Sequence, residues 1–177
     1  MNRMIRPIVL HPDARLKKKS VEVEGITDAL IELAEDMMET MYHAPGIGLA
    51  APQIGVLQRV IVMDCAKKED EEPDPIVMVN PLIKASSEEK NVYEEGCLSI
   101  PEHFAEVTRP ELVQVEWIDL EGKQHSEEFN GLKSTCVQLE IVHLNGKLFI
   151  DYLGPIKRQM ITRKMQKFKR EKLRGSE

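Results

Sequence analysis

The sequence predicts an α+β fold built mainly on antiparallel β-sheet. Strand-like segments both precede and follow a segment with helical periodicity, and no regular alternation of strand and helix runs along the chain. One strand-like segment alternates apolar and polar residues, as a half-buried antiparallel strand does. A doubly wound parallel sheet would need the regular alternation that is missing here.

The first predicted helix covers residues 27–42. Apolar residues recur at helical spacing, Thr27 occupies an N-cap position, and Pro45-Gly46 stops the helix. The apolar positions are Leu30, Leu33, Ala34, Met37, Met38 and Met41. The block GIGLAAPQIG (46–55) follows, and its glycines and prolines predict a shaped loop rather than a regular element.

Four strands are predicted in the middle of the chain. The runs are RVIVMDC (59–65), IVMVNP (76–81), LVQVEWIDL (112–120) and QHSEEF (124–129). Glu121-Gly122 turns the chain between the last two. The charged, proline-broken segment 66–75 joins the first two, and we expect it to be exposed and mobile.

Helical spacing returns after Gly131 and ends at Gly146. FIDYL (149–153) is predicted to be short and extended. The basic tail, residues 157–177, has apolar residues on one helical stripe and is predicted to be a helix. With no internal repeat and no linker, residues 1–177 are expected to form a single domain.

Composition restricts the classes of function. No run approaches the roughly 18 apolar residues that a membrane span needs, and the N-terminal segment lacks a signal peptide's apolar region. We therefore expect a cytoplasmic protein with no membrane partner. Three scattered cysteines argue against a disulfide framework. Residues 157–174 carry nine Lys or Arg and one Glu, so a polyanionic partner would meet this tail, although a solvated helix face is the commoner explanation.

Three segments contain residues suited to chemistry. The stretch CVQLEIVHLNG (136–146) has Glu140 and His143 as in the metal-binding pattern HExxH, but Leu139 holds the first histidine position. Cys97 in EEGCLSIP offers a soft metal ligand, and Gln53 in the glycine-rich loop offers an amide. Each segment alone also has an ordinary structural explanation. Glu140 and His143 could occur together by chance in a helix, Cys97 could be a buried cysteine, and the glycine-rich segment could be a tight loop.

Taken together, GIGLAAPQ, EGCLS and QLEIVH strongly resemble the three motifs of the peptide deformylases. The resemblance runs from RPIVLHPDARL to FIDYLGPIKR and so covers nearly the whole chain. It implies a hydrolase that removes the formyl group from the N-terminal formyl-methionine of new proteins. It also implies antiparallel β-sheets around a central helix that carries metal ligands, followed by a C-terminal helix.

The resemblance also implies roles for individual residues. Cys97 and His143 would be metal ligands, and Glu140 would be the general acid/base. Gln53 and the backbone N–H of Leu98 would stabilise the oxyanion.

Further positions would contact the substrate. Gly48 would supply backbone contacts, and Glu95 would lie at the pocket rim or behind it. Ile47, Leu132 and Cys136 would line the pocket for the methionine side chain.

The chain departs from the family pattern at three positions. Leu139 replaces the histidine that is the third metal ligand, Val142 replaces a usual aspartate, and Phe104 replaces an arginine found in many members. His103 and His125 are poor candidates for a replacement ligand. We therefore expect weak or absent occupancy by the divalent metal, which by family would be Fe²⁺, or else Zn²⁺ or Ni²⁺, and strongly reduced deformylation.

Two functions remain open from the sequence. The first is a deformylase of lowered activity. The second is an inactive relative that binds formyl-methionyl peptides or the ribosome. The family's C-terminal helix suggests that the basic tail meets ribosomal RNA.

Overall fold

The computed structural model describes residues 3–66 and 71–175, which form three α-helices and seven β-strands. The helices are α1 (Asp28–His43), α2 (Gly131–Leu144) and α3 (Pro155–Gly175). The strands are β1 (Gly48–Ala50), β2 (Val60–Met63), β3 (Ile76–Ser86), β4 (Lys90–Glu95), β5 (Ala105–Pro110), β6 (Val113–Ile118) and β7 (Gln124–Phe129). None of the helices described is long and apolar enough to cross a membrane.

The strands form two antiparallel sheets. The larger sheet has the order β1-β2-β3-β6-β7, and every neighbouring pair in it is antiparallel. Strands β4 and β5 form a separate two-stranded sheet, and the segment between them carries Cys97. The predicted α+β class with antiparallel sheets is confirmed.

Helix α2 is buried on nearly all sides, as expected for the predicted central helix. One side packs through Val137, Ile141 and Leu144 against apolar residues of the large sheet. Leu139 belongs instead to a second apolar cluster, which includes Phe149 from the following turn and Met165 of α3. The helix therefore lies between two apolar cores, and most of its polar side chains are buried.

Most predicted elements are confirmed with small shifts of their ends. Thr27 caps α1, accepting a hydrogen bond from the Leu30 N–H at 3.2 Å. In β6, the residues Val113, Val115 and Trp117 are buried, while the alternate positions are partly exposed. Residues 157–175 of the basic tail lie in α3, whose Ile161 and Met165 are buried, and residues 176–177 lie outside the described residues.

The prediction that 149–153 is extended was wrong. Phe149–Tyr152 forms a 3-10 helix, and the Asp151 carboxylate accepts a hydrogen bond from the Leu148 N–H at 2.8 Å, which closes the turn locally. The loop predicted over 46–55 also contains β1 and a 3-10 helix, Ala51–Ile54. Residues 67–70 of the predicted mobile segment lie outside the described residues, whereas residues 71–75 are exposed.

Candidate functional site

The three sequence motifs meet at one cavity of about 800 Å³. Its walls include the loop after α1, the segment after β4 and one side of α2. Ten of the residues singled out from the sequence line it: Ile47, Gly48, Glu95, Cys97, Leu98, Phe104, Leu132, Cys136, Leu139 and Glu140. Gln53 and His143 are buried but are not part of its lining.

Glu140 is a carboxyl group without a full set of hydrogen bonds. The residue is 2% exposed, and its Oε1 lies 3.8 Å from His143 Nε2. Its Oε2 finds no partner among the described residues. Burial, followed by the charges of Cys65 and Glu95, raises the pKa of Glu140 to about 8. The side chain is therefore mostly protonated at neutral pH and is poised to donate a proton.

His143 and Cys97 are both uncharged in this environment. Neither ring nitrogen of His143 has a hydrogen-bond partner among the described residues, and burial lowers the pKa of the imidazole to about 4. Cys97 is partly exposed at the cavity wall, yet the protein packed around its sulfur, followed by the charge of Glu140, raises the pKa of the thiol to about 12. A neutral imidazole can bind a metal, but a thiol must first lose its proton.

Leu139, which the resemblance places at the third ligand position, makes hydrocarbon contacts. It is 9% exposed and belongs to an apolar cluster with Ile100 and Ile150, against which Cys97 and Val142 also pack. Within the described ranges, no group of three or more His, Cys, Asp or Glu side chains is placed to hold a metal ion. Catalytic zinc usually has three protein ligands, so the residues present do not fit such a centre.

Neither alternative histidine repairs the ligand set. His125 lies in β7, and its ring stacks on that of Trp117 in β6. Its Nε2 lies 2.7 Å from Oδ2 of Asp119, which belongs to the turn between the two strands. His103 is also absent from the residues that line the cavity. The sequence-based judgement against both residues agrees with these positions.

Gln53 is held rigidly behind the cavity. Its Oε1 accepts a hydrogen bond from the Ala50 N–H at 2.9 Å, and its Nε2 donates to Ser99 Oγ at 3.1 Å. One hydrogen of the amide Nε2 is left for another acceptor. Its role toward an oxyanion stays a prediction.

Gly48 allows β1 to approach α2 closely. A Cβ at this position would lie 2.9 Å from Cys136 Sγ and 3.0 Å from Glu140 Cδ, both closer than van der Waals contact. Any larger residue would push into the two side chains that form this wall. The glycine is therefore required by packing, whatever its contact with a substrate.

A buried ion pair beneath the cavity was not predicted from the sequence. Arg109 donates to both carboxylate oxygens of Glu95, at 2.7 and 3.0 Å, and its guanidinium lies 4.7 Å from the centre of the Tyr152 ring. Glu95 was predicted only as a rim or supporting group. Arg109 gave no signal because β4 and β5, which carry the two residues, were not recognised as strands.

Comparisons with known proteins agree with the motifs. The Polypeptide deformylase family matches residues 5–159. The peptide deformylase of Rhizobium meliloti is 53% identical over 92% of this chain and 93% of its own length. That of Afipia carboxidovorans is 56% identical, over 92% of this chain and 95% of its own.

Solved structures extend the likeness to the fold. The peptide deformylase of Ehrlichia chaffeensis in complex with actinonin superposes with a TM-score of 0.90 at 38% identity, covering 94% of this chain and 99% of that one. A peptide deformylase from Legionella pneumophila gives 0.87 at 46% identity, covering 96% and 98%. On the shared sequence, fold and motifs, this chain belongs to the peptide deformylase family.

Proposed function

We propose that this protein binds formyl-methionyl peptides and removes their formyl group much more slowly than a family member with a complete ligand set. The observation that carries the proposal is Leu139, an apolar side chain packed where the family pattern places a metal ligand. Family membership implies a divalent metal and formyl-methionyl substrates. The substrate cavity is retained, whereas the metal ligands are incomplete.

The cavity supports peptide binding. Its volume of about 800 Å³ lies within the range of roughly 300–1,000 Å³ that is typical of ligand pockets. Ile47, Leu132 and Cys136 all line it and would form an apolar wall for the methionine side chain. A substrate placed there would have its formyl carbonyl near the Leu98 N–H and the Glu140 carboxyl.

The remaining polar residues supply acid/base chemistry. Hydrolysis of a formamide adds water to the formyl carbon and transfers a proton to the departing amine. Ionised Glu140 would accept the proton that the water loses, and the protonated side chain would then deliver it to the amine. The divalent ion, which we propose to be Fe²⁺, or else Zn²⁺ or Ni²⁺, would have only Cys97 and His143 as protein ligands. We therefore expect slow turnover by a site that still positions its substrate.

A binding assay and a turnover assay test this function separately. We expect a formyl-Met-Ala-Ser peptide to bind saturably by calorimetry and to release its formyl group at least tenfold more slowly than with the Rhizobium meliloti relative. The unformylated peptide is the control for binding. Lack of binding, or a rate equal to that of the relative, would contradict the proposal.

The alternative function is an inactive peptide-binding protein, and the paired replacements Leu139 and Val142 favour it. Glu140→Gln distinguishes the two functions. Where Glu140 is the general acid, this change abolishes the residual turnover and leaves peptide binding within about threefold of the natural chain. A background rate unchanged by Glu140→Gln would assign the protein to the inactive class.

We also propose, as the family's C-terminal helix suggests, that α3 docks on ribosomal RNA in the cytoplasm. Ile161 and Met165 anchor the helix in the core, while Lys157, Lys164 and Lys167 are exposed. Deleting α3 would therefore damage the fold as well as the proposed contact.

Charge substitution on the exposed face gives a cleaner test of ribosome binding. Lys157→Gln, Lys164→Gln and Lys167→Gln together are expected to weaken ribosome binding at low salt by at least about tenfold, and to flatten its dependence on salt. Lys84→Gln, which changes an exposed lysine in β3, serves as the control. Equal binding by both variants would refute the contact.

A further inference from the structure

A second cavity, of about 610 Å³, lies outside the site just described and shares no lining residue with it. Three buried residues form its floor. His11 belongs to the N-terminal segment, Leu148 precedes the 3-10 helix Phe149–Tyr152, and Ile150 lies within that helix. The first half of α3 forms one wall. No motif of the proposed deformylase function uses this region.

The cavity has an excess of positive charge. Lys17, Arg158 and Arg163 line it, and none of the three forms an ion pair with a residue in the described part of the chain. Asp151 is the one carboxylate in its lining, and that side chain already accepts a hydrogen bond from the Leu148 N–H. Three cations therefore face one carboxylate that is engaged in the fold.

Helix α3 turns a face of neutral hydrogen-bonding groups toward the same space. Gln159, Thr162 and Gln166 line the cavity together with Arg163, and these positions lie three or four residues apart on one side of the helix. The apolar residues Ile161 and Met165 face the core instead. The residues of α3 that line the cavity are thus distinct from the other exposed Lys and Arg residues of the helix.

The environment of His11 is consistent with a positively charged cavity. Its Nε2 lies 2.8 Å from Thr162 Oγ1, and its buried Nδ1 has no hydrogen-bond partner among the described residues. Burial, then the charge of Lys17, lowers the pKa of His11 to about 4; Lys169 acts in the same direction, while Asp151 opposes it. The imidazole is neutral at pH 7, in surroundings that disfavour a further positive charge.

We propose that this cavity binds a phosphate group. Arginine and lysine are the side chains that phosphate recognition uses most, and the Thr and Gln groups on α3 add neutral hydrogen bonds to its oxygens. The volume also leaves room for an organic moiety attached to the phosphate, over the apolar floor of Leu148 and Ile150.

Titration of the full chain with inorganic phosphate, at constant ionic strength, tests the proposal. We expect saturable binding by calorimetry, accompanied by a shift of the His11 imidazole signals in NMR spectra. Lys17→Gln and Arg163→Gln should each weaken binding about tenfold, the usual effect of losing one charged hydrogen bond. Arg170→Gln is the matched control, because this exposed arginine of α3 does not line the cavity.

The contradictory results are equally specific. Absence of saturation, or equal weakening by Arg170→Gln and Arg163→Gln, would overturn the site and leave only general attraction to a basic helix. Thermal unfolding of each variant checks that the fold is kept.

A competition experiment identifies the source of the phosphate. A short single-stranded RNA that displaces inorganic phosphate from the natural chain indicates a phosphodiester ligand. Phosphate binding that persists beside the RNA indicates a small phosphorylated molecule. Either result supports a phosphate site.

Discussion

Leu139→His is expected to raise both the metal affinity and the deformylation rate of the protein by about 100-fold or more. The new imidazole would lie one helical turn before His143 and on the same face of α2, so that with Cys97 it completes three protein ligands. Loss of a group that only supports a ligand costs roughly 10–100-fold in metal affinity or activity. Restoring a ligand itself should have an effect at least at the upper end of that range.

Three variants separate ligation from simple polarity. Leu139→Asn introduces a polar side chain of similar size that lacks an imidazole, and it should not restore turnover. Val142→Asp alone should have little effect, while Leu139→His with Val142→Asp should equal or exceed the single histidine variant. If neither histidine variant gains activity on a formyl-Met peptide, the missing ligand is not the main defect.

Stability gives a second readout of the same change. A histidine buried at position 139 without an ion would leave polar atoms in an apolar cluster, which lowers the free energy of unfolding. Added Zn²⁺ or Ni²⁺ binds the folded state of that variant and should raise its melting temperature clearly more than that of the natural chain.

Arg109→Leu is expected to lower the free energy of unfolding by about 3–5 kcal/mol, because it leaves the Glu95 carboxylate buried without its partner. Both side chains are almost completely buried, and the guanidinium makes two hydrogen bonds to the carboxylate. Urea denaturation measures the loss. The double variant Glu95→Leu with Arg109→Leu should recover most of it, since no unpaired charge then remains.

An exposed ion pair provides the control for this effect. Lys84 Nζ lies 3.9 Å from Glu116 Oε2; the lysine is exposed and the glutamate is partly exposed. Lys84→Leu should change the free energy of unfolding by less than about 1 kcal/mol. Equal losses of unfolding free energy for Arg109→Leu and Lys84→Leu would show that the buried Glu95–Arg109 pair contributes no more to stability than an exposed pair.

The sequence predicts best those elements whose local pattern agrees with their burial. In α1 the apolar positions, the cap at Thr27 and the stop near Pro45 all indicate the same helix. In β6 the alternation of Val113 and Val115 with polar residues matches a strand with one buried face. In such segments local preference and tertiary packing reinforce each other.

The elements that were missed depend on contacts between distant parts of the chain. Most residues of β4 are exposed or partly exposed, and half of them are charged, so the segment resembles a loop in composition. Only its pairing with β5 defines it as a strand. The Glu95–Arg109 pair arises from that pairing and leaves no pattern in either segment. The 3-10 helix at Phe149 is closed by a local hydrogen bond from the Leu148 N–H to the Asp151 carboxylate, which composition does not predict.

The candidate site shows the same division. The resemblance of the three motifs identified several residues that line the cavity, including Cys97, Leu98 and Glu140. It did not predict that Gln53 has most of its hydrogen bonds within the fold, nor that Leu139 joins an apolar cluster with residues from α3 and the turn after α2. Those features depend on how the second core is assembled around α2.

Metal analysis of the purified natural chain, beside Leu139→His prepared in the same way under anaerobic conditions, tests whether the site is an incomplete metal centre. Mass spectrometry of the elements gives the iron, zinc and nickel bound per chain. We expect the natural chain to hold far less than one ion per molecule and the histidine variant to approach one. Near-stoichiometric iron, zinc or nickel in the natural chain would contradict the conclusion that Cys97 and His143 alone hold a metal poorly.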